Sequence, residues 1–528
     1  MKRNKKASII EFILVFLCTS ALVGFIFWGL NVYTSGWHLV DDHRNFDLYS
    51  LYSNQHRSFF DIMSELLKND FSGQHRDRLL HYPYRLLESV AFGLDYEKYY
   101  LIRAITTIIT LITLYYSVRI LGLNCYMSAV FALISFCGPQ CGVWYKFGTT
   151  QLQATTMFAF WLLFMVMYFY SKRKLHSITS IVFCILMTGF HEGYILIIPA
   201  MMLFLPLLEL AESNEPNHCG GLTARSLITA FKKWLPYELS LLTIFTVHMI
   251  YILFFLSFTS YGTFFEENGS SPLSSAVYNT LASLKGDVFY YAFFTIVLTM
   301  VLLTFYDKFK TMWAEAVIFI FIVIPQFALY SQEGIYERYL LPLTFGFTFF
   351  FVVFTYKKHI LTGKRKVTYY AMLGLLTLLL VRKTIIEADY FRFRGNSVTT
   401  MLDNVVELQE KGYNVVNTLG IANPEAISTT RCLLAALNLP DCYYWDEAQL
   451  KITSDDGQEL SLDEADYIIV YNRDDRHFTI DTSIDYTGFN YVRCGSLDLY
   501  FSDKIYDTFT PEKLETFNIK PTIYGIGE

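Results

Sequence analysis

The chain has 528 residues, of which 53% are hydrophobic and only 17% are charged, and its mean hydropathy is +0.32. Soluble proteins of this length carry more charge and shorter apolar runs, so the composition excludes an ordinary soluble protein. The formal net charge of −6 gives no reason to expect binding to nucleic acid.

Repeated apolar runs near the length of a bilayer crossing predict a polytopic α-helical membrane protein with about eleven spans. The first run follows four basic residues and is too long for a cleaved signal peptide, so we expect an uncleaved helix with a cytoplasmic N-terminus. The spans are predicted near residues 8–32, 99–119, 124–138, 149–170, 176–190, 193–209, 235–259, 287–305, 312–330, 339–356 and 367–382.

The basic residues of the connecting loops favour one orientation. With a cytoplasmic N-terminus, the even-numbered loops are cytoplasmic, and they hold nearly every short basic cluster, as the positive-inside rule requires. If 176–209 were one helix, the later clusters would lie outside, so we reject that alternative. The clusters are Arg119, 172–174, Lys232 with Lys233, Lys308 with Lys310, Lys357 with Lys358, and 364–366.

The first external loop, about residues 33–98, begins with a pair of carboxylates. Asp41 and Asp42 lose hydration near lipid and disfavour each other's ionisation, which indicates a function, although a hydrated start to a loop is the competing interpretation. Apolar residues recur at helical spacing between Leu48 and Leu67, and again over 84–92. This spacing predicts two amphipathic helices that lie on the membrane.

The other external loops carry further charged residues at the ends of spans. His191 and Glu192 form a tight turn between two spans, and Glu337 and Arg338 stand at the outer start of the tenth span. A hydrated turn and an interfacial arginine are the competing interpretations. Lys146, among aromatic residues, is interpreted as an interfacial anchor.

After Arg382 the sequence becomes polar and acidic and contains no further span. We therefore predict a transmembrane domain over 1–382 and a C-terminal α/β domain over 383–528, which by the parity of the spans is extracytoplasmic. Helices are predicted over 401–411 and 428–437, and strands over 413–419, 466–471 and 491–501.

Acidic, imidazole and guanidinium groups thus gather on one face of the membrane. Sugar transfer from a lipid-linked phosphate needs this combination. A carboxylate with a raised pKa takes the proton of the acceptor hydroxyl, and arginine binds the departing phosphate. One displacement of this kind inverts the anomeric centre.

Three features together resemble the GT-C superfamily of integral-membrane glycosyltransferases, such as protein O-mannosyltransferases and the aminoarabinose transferases that modify lipid A. They are the Asp41-Asp42 pair that opens a long first external loop, the two helices of that loop, and the stretch from Glu337 to Pro342, which contains an Arg-Tyr-x-x-Pro pattern. The resemblance covers most of the chain in pattern and architecture rather than in close identity.

The resemblance implies that Asp41 or Asp42 is the general base, with Asp41 preferred, and that Arg338 contacts the phosphate of a polyprenyl-phosphate sugar. The other carboxylate would fix geometry or bind a divalent cation. The candidate metal ligands are Asp42 and His43, although their spacing matches no zinc signature. No cofactor is otherwise expected.

The remaining polar residues of the external loops are assigned by position. Arg78 and Arg85 are candidates for binding phosphate or lipid headgroups, whereas His43, His191, Glu192 and Glu337 are candidates for lining the active-site cavity. Basic residues at a membrane surface are ordinary, and this is the competing interpretation of the two arginines.

We expect an inverting glycosyltransferase that acts on an envelope glycan, lipid or protein at the outer face of the cytoplasmic membrane. Its expected partners are the lipid-linked donor, membrane lipid and the acceptor. One alternative is a flippase or transporter of a lipid-linked glycan, which would place charges deep within spans. A non-catalytic envelope assembly protein is a second alternative. A glycan polymerase or ligase is a third, which would more typically carry its reactive Arg or His in a late external loop. The charges cluster at outer ends of spans, which disfavours the transporter.

Overall fold

A computed structural model describes most of the chain. Asp41, one of the two predicted catalytic carboxylates, lies outside the described residues. The described ranges are 5–39, 42–69, 78–213, 224–254, 272–330, 335, 337–421, 424–446, 449–454, 457–472 and 484–523.

Helices dominate the first four hundred residues. Two short π-helical segments, Phe25–Gly29 and Phe349–Phe354, extend or continue neighbouring helices. The α-helices are Lys5–Gly24, His43–Ser53, Phe59–Asn69, His81–Phe92, Tyr96–Ile120, Cys125–Phe136, Gln151–Ser171, Lys174–Phe190, Ile198–Met201, Phe204–Ser213, Ala224–Phe254, Pro272–Lys285, Phe289–Leu303, Tyr306–Phe309, Trp313–Tyr330, Leu343–Thr348, Thr355–Lys357, Gly363–Glu410, Pro424–Ala436 and Pro511–Thr516.

The chain is a membrane-embedded helical protein. Within the described ranges, seven helices are long and apolar enough to cross a bilayer. This number does not confirm the eleven predicted spans. The seven are Ser8–Gly29, Tyr96–Ile120, Gln151–Ser171, Glu192–Glu212, Arg225–Ile252, Tyr306–Tyr330 and Glu337–Lys357.

Three of the other predicted spans form helices that are short or broken. Cys125–Phe136 has 12 residues and Lys174–Phe190 has 17. At 1.5 Å per residue they measure roughly 18 and 26 Å, against a hydrocarbon core of about 30 Å. The run predicted at 287–305 belongs to a pair of helices, Val277–Lys285 and Phe289–Leu303, that are bent by 78°.

The last predicted span, 367–382, is part of a helix of 48 residues, Gly363–Glu410, which we call the long helix. Its length is about 72 Å. The predicted domain boundary between 382 and 383 lies inside it. The apolar run ends at Arg382 and Lys383, but the helix continues because lysine, arginine and glutamate are good helix formers. An ion pair of 2.6 Å between Lys383 and Glu387 adds support at i, i+4 spacing.

The basic clusters that the sequence assigns to one side meet at one end of the helical part, which we call the basic end. Lys357 joins two of these clusters, since its Nζ donates to the carbonyl of Leu121, two residues after Arg119, at 2.9 Å. The loops that the sequence predicts to be external meet at the opposite end, which we call the polar end. The ion pairs at the basic end are Arg119–Glu11 at 2.6 Å, Lys357–Glu212 at 2.7 Å and Lys358–Glu315 at 2.6 Å.

The described residues of the C-terminal part contain seven strands that form one mixed sheet. The strands are β1 Val415–Asn417, β2 Tyr443–Asp446, β3 Lys451–Thr453, β4 Glu459–Leu460, β5 Tyr467–Tyr471, β6 Asn490–Cys494 and β7 Leu497–Phe501. Their order in the sheet is β4-β3-β2-β1-β5-β7-β6. Strand β1 is parallel to β2 and β5, and the other neighbours are antiparallel.

The strand predicted over 491–501 is a hairpin of two strands, β6 and β7. Gly495 in the connecting turn has φ +56°, a conformation that glycine adopts without steric cost. The hairpin therefore needs this residue, and the uninterrupted β-forming residues on either side concealed the turn from sequence analysis.

The long helix and Pro424–Ala436 cover one face of the sheet. Leu402 and Leu433 belong to the same buried cluster as Tyr467 and Ile469, and this cluster continues into the membrane helices. The first external loop joins this packing, because Asn54 donates from Nδ2 to the Ala436 carbonyl at 2.8 Å. The C-terminal part and the polar end therefore form a continuous packed unit.

The amphipathic region predicted between Leu48 and Leu67 is two helices, His43–Ser53 and Phe59–Asn69. The first of them packs against Pro424–Ala436 and His81–Phe92. Its partly apolar pattern is therefore explained by protein contacts rather than by a membrane surface.

Candidate functional site

The segment that leads to the two predicted catalytic carboxylates packs on the long helix. We call residues 35–42 the acidic loop, of which 40 and 41 lie outside the described residues. The Trp37 backbone N–H donates to Thr399 Oγ1 at 2.7 Å, and the His38 ring stacks on Phe391 at 3.7 Å. Tyr100 holds the other side of the loop by donating to the Gly36 carbonyl at 2.7 Å.

The carboxylate of Asp42 binds the backbone of the acidic loop. Its side chain is buried, and its Oδ2 accepts the backbone N–H of His38 at 2.9 Å. This carboxylate therefore helps to fix the geometry of the loop. His43 is the next residue and begins the helix His43–Ser53.

A cleft lies beside the acidic loop at the polar end, and we call it the charged cleft. Lys146 and Glu337 form an ion pair across its lining. Glu387 and Arg394 contribute further charges from the long helix. The lining residues are Pro139, Gly142, Tyr145, Lys146, Glu337, Glu387, Tyr390, Phe391 and Arg394.

The charges alternate in sign behind this lining. Asp287 accepts the backbone N–H of Glu337 at 2.8 Å and lies 3.8 Å from Lys383, which is also paired with Glu387. The alternation lets several charges share a semi-buried site, because each has a neighbour of opposite sign. Lys146, interpreted from sequence as an interfacial anchor, is thus part of the cleft.

His38 connects the acidic loop to the charged cleft. Burial lowers the pKa of its imidazole well below 6.5, and the cationic groups of Arg394 and Lys146 lower it further. The ring is therefore neutral at pH 7. A Cβ atom at Gly395 would lie only 2.5 Å from His38 Nε2 and 2.7 Å from the Ser35 carbonyl oxygen, so the loop needs a glycine at this point of the helix.

Two of the predicted site residues form an ion pair near the cleft. The guanidinium of Arg78 binds the carboxylate of Glu192 in a bidentate manner, with 2.6 Å between Nη2 and Oε1. His191 begins the short helix Glu192–Ile197 and accepts the Gly193 N–H at its Nδ1, 3.1 Å away. His191 therefore acts as a helix cap.

Arg338 follows Glu337 of the charged cleft in sequence. Its guanidinium lies over the Tyr339 ring at 5.2 Å, and that ring contacts the Tyr330 ring at 4.5 Å with a tilt of 32°. The Tyr330 hydroxyl lies beside the turn that carries Glu192, since a Cβ atom at Gly193 would lie 2.9 Å from it. Because Glu337 contacts Lys146, the neighbouring residues 337 and 338 join the two groups of charges.

Arg85 has a different position from the one predicted. It is 3% exposed, does not line the charged cleft, and donates from Nη2 to Asn45 Oδ1 at 2.9 Å and from Nη1 to the Gly148 carbonyl at 3.3 Å. Its guanidinium therefore ties the helix His43–Ser53 to the segment after Phe147. A buried group held by the protein in this way is not placed to bind a phosphate in the cleft.

A second buried arginine supports the same region. Arg103 is fully buried and donates from Nη2 to Glu88 Oε2 at 3.1 Å and to the Phe147 carbonyl at 3.0 Å. Burial is the largest influence on Glu88 and raises the pKa of its carboxyl, while Arg103 acts in the opposite direction. This network supports the wall that carries Lys146.

The structure gives no set of three His, Cys, Asp or Glu side chains placed for a metal ion among the described residues. The predicted ligands Asp42 and His43 adjoin Asp41, which the structure does not describe. The carboxylate of Asp42 is engaged by the loop backbone.

Sequence analysis gave no role to Asp287, Lys383, Glu387 and Arg394. The last three stand at helical spacing on one face of the long helix. If the helix had been predicted to continue beyond Arg382, helical spacing would have placed these three residues and Phe391 on the same face. Asp287 and Lys146 carry no such local signal, since their partners are distant in sequence.

Comparison with known proteins adds no assignment. No protein-family model matches the chain. No curated protein matches it at a significant level either. The interpretation of the site therefore rests on its own geometry.

Proposed function

We propose that the chain is an inverting glycosyltransferase of the GT-C type. It transfers a sugar from a polyprenyl-phosphate donor to an envelope glycan, lipid or protein at the outer face of the cytoplasmic membrane. The observation that carries this proposal is the charged cleft, in which Lys146 and Arg394 lie beside the loop that bears Asp41 and Asp42.

The proposed base is Asp41. Asp42 is buried and accepts a backbone hydrogen bond, which supports a positioning role for it and leaves Asp41 as the carboxylate that meets the acceptor. Asp41 takes the proton of the acceptor hydroxyl as the oxygen attacks the anomeric carbon. The bond from that carbon to the phosphate oxygen breaks on the opposite side, and its electron pair stays with the phosphate.

The departing phosphate gains negative charge, so it needs cations on its side of the sugar. Arg338, Lys146 and Arg394 supply them in the proposal. Preorganised charges of this kind stabilise a transition state more than a ground state, because the charge develops only as the bond breaks. The carboxylate of Glu337 holds Lys146 in place before the donor arrives, and Glu387 is paired with Lys383 on the long helix.

The orientation is also part of the proposal. The basic end faces the cytoplasm by the positive-inside rule, which places the charged cleft and the C-terminal part outside. In this proposal a lipid-linked donor enters the cleft from the outer leaflet. The bend of 78° between Val277–Lys285 and Phe289–Leu303 supports such an entry, because its connecting residues 286–288 include Asp287, which lies behind the cleft lining.

The test compares envelope glycans by mass spectrometry in cells that make the wild-type chain, no chain, Asp41→Asn or Asp42→Asn, at equal membrane abundance. Asp95→Asn is the matched control, because Asp95 is a half-exposed residue of the same loop that is paired with Lys98 at 3.0 Å and does not line the charged cleft. We expect one sugar mass to vanish without the chain and with Asp41→Asn, and to persist with Asp95→Asn.

The outcome against the proposal is equally definite. If the sugar mass vanishes without the chain but persists with both Asp41→Asn and Asp42→Asn, the carboxylates are not catalytic. A transporter of the lipid-linked glycan or an assembly protein would then explain the loss.

A further inference from the structure

The face of the C-terminal sheet that lies away from the helices carries a continuous row of apolar and aromatic side chains. The strand register places these residues directly opposite one another. Along the sheet they are Leu460, Ile452 and Trp445, followed by Tyr443, Val416, Ile468, Tyr500 and Tyr491. Side chains alternate between faces, so the row belongs to the face opposite Tyr467 and Ile469.

Part of this row is covered and part forms a cleft. Tyr486 stacks on Tyr500 at 4.0 Å and covers the β7 side. Around Trp445, Ile452 and Leu460 the structure has a cleft instead, which we call the aromatic cleft. Its lining residues are Trp445, Leu450, Lys451, Ile452, Glu459, Leu460, Ser461, Leu462, Ile484 and Asp485.

The aromatic cleft combines an indole ring with charged groups at its margin. No described residue accepts a hydrogen bond from the Trp445 indole N–H, although that nitrogen is shielded from solvent. Lys451 and Glu459 are paired at 2.5 Å, and Asp485 accepts the Thr487 hydroxyl at 2.6 Å. The bonds from Thr487 lower the pKa of Asp485, so this acceptor is ionised at neutral pH.

We infer that the aromatic cleft binds a saccharide that carries no negative charge. A sugar ring presents C–H groups that pack on an indole face, and hydroxyls that donate to carboxylates. Glu459 and Asp485 offer such carboxylates, and Trp445, Ile452 and Leu460 provide an apolar floor. The combination of a mostly apolar lining and a few convergent polar groups is typical of small-ligand sites.

The charge of the region excludes other classes of occupant. Residues 411–528 contain 20 Asp and Glu against 9 Lys and Arg, which repels nucleic acid and anionic lipid headgroups. A peptide that adds to the sheet edge is disfavoured because β4, the edge strand at the cleft, has only two residues. A sugar needs neither positive charge nor a long edge.

This inference deepens the proposed function, since the saccharide would be part of the glycan that the enzyme extends. The binding test is separate from the transfer test. Loss of transfer with Asp41→Asn concerns the charged cleft, whereas loss of saccharide binding with Trp445→Phe concerns the aromatic cleft. The failure of either proposal is therefore distinguishable from failure of the other.

The experiment uses the full chain in phosphatidylcholine nanodiscs free of sugar-based detergent. The probes are chitohexaose, a glucosamine hexamer, maltohexaose and, as the anionic control, a heparin hexasaccharide. Binding is measured by saturation-transfer NMR and by tryptophan fluorescence. Trp445→Phe removes the N–H and keeps an aromatic ring, and Glu459→Gln removes one exposed carboxylate. Trp313→Phe, at an exposed membrane position, is the matched control.

We expect at least one of the three uncharged or cationic probes to bind, with about threefold to tenfold weaker binding to Trp445→Phe, because a phenyl ring offers the sugar a smaller apolar face than an indole does. Glu459→Gln should weaken binding too, and Trp313→Phe should not. The inference is overturned if none of the three probes binds, if both cleft variants bind as the wild type does, or if heparin binds best.

Discussion

The sharpest test of the site geometry is the substitution Gly395→Ala in the long helix. The added Cβ would lie 2.5 Å from His38 Nε2 and 2.7 Å from the Ser35 carbonyl oxygen. The imidazole has little room to move because it stacks on Phe391 at 3.7 Å, and the carbonyl belongs to the backbone. The acidic loop must therefore move away from the helix, and Asp41 and Asp42 move with it.

Two opposing effects set the change in stability. Alanine inside a helix is more favourable than glycine by roughly 0.5–1 kcal/mol. Overpacking at a tight contact costs about 1–3 kcal/mol, and the loop movement also strains the 2.7 Å bond from Trp37 to Thr399, worth about 1 kcal/mol. We therefore expect a net loss of about 1–3 kcal/mol together with a loss of sugar transfer.

The control is Gly374→Ala in the same helix. There the Cβ would meet only the Tyr126 hydroxyl, at 2.6 Å, which is the far end of a flexible side chain. Thermal unfolding in nanodiscs and the envelope-glycan assay would compare the two variants. Gly395→Ala should unfold at a lower temperature than Gly374→Ala and lose transfer. Equal stability and full transfer in both variants would refute the packing argument.

Three further predictions concern the charges around the acidic loop. Burial lowers the pKa of His38 in the folded state, so below about pH 6.5 the imidazole is protonated only in the unfolded chain. The stability of the wild type should therefore fall as the pH is lowered through this range. Thermal unfolding between pH 5 and 8 should show a weaker dependence of stability on pH for His38→Gln. Arg103→Met should cost about 3–5 kcal/mol because it leaves Glu88 buried without its cation, and adding Glu88→Gln should recover part of the loss in the same assay. Arg78→Ala and Glu192→Ala should each lower the unfolding temperature, and the double variant Arg78→Glu with Glu192→Arg should restore it. If the double variant Arg78→Ala with Glu192→Ala loses the sum of the two single losses, the two residues do not form a direct pair.

Hydropathy predicted the membrane class and the positions of most apolar helices, but it could not count the spans. A window of apolar residues measures composition, whereas crossing a bilayer also depends on length and straightness. Cys125–Phe136 is strongly apolar yet only 12 residues long, and Phe289–Leu303 is bent by 78° from the helix before it. Neither property is visible in a hydropathy average.

The long helix shows a second limit of sequence composition. Arg382 and Lys383 end the apolar run, and this change in composition predicts a domain boundary at a point where the helix continues. Helix propensity does not change at these residues, so the backbone continues without a break. Composition reports which solvent surrounds a helix, and it does not report where the helix ends.

The sequence indicated which ends of apolar segments carry charged residues, but it could not indicate which side chains meet there. The acidic pair, the turn at His191 and the residues after Tyr336 stand at ends of spans, and topology alone brings these ends together. The partner of Lys146 is 191 residues away, so aromatic neighbours in sequence suggested only an interfacial anchor. Arg85, by contrast, looked accessible because the helix that buries it could not be oriented from sequence.

The arrangement of the long helix makes the C-terminal part a component of the site rather than an appendage. Phe391, Gly395 and Thr399 lie beyond the apolar run, and all three contact the acidic loop. The helix that follows the loop is held from the other side by Pro424–Ala436. A chain that ended at residue 382 would keep the carboxylates but lose every one of these contacts, so their geometry depends on the C-terminal fold.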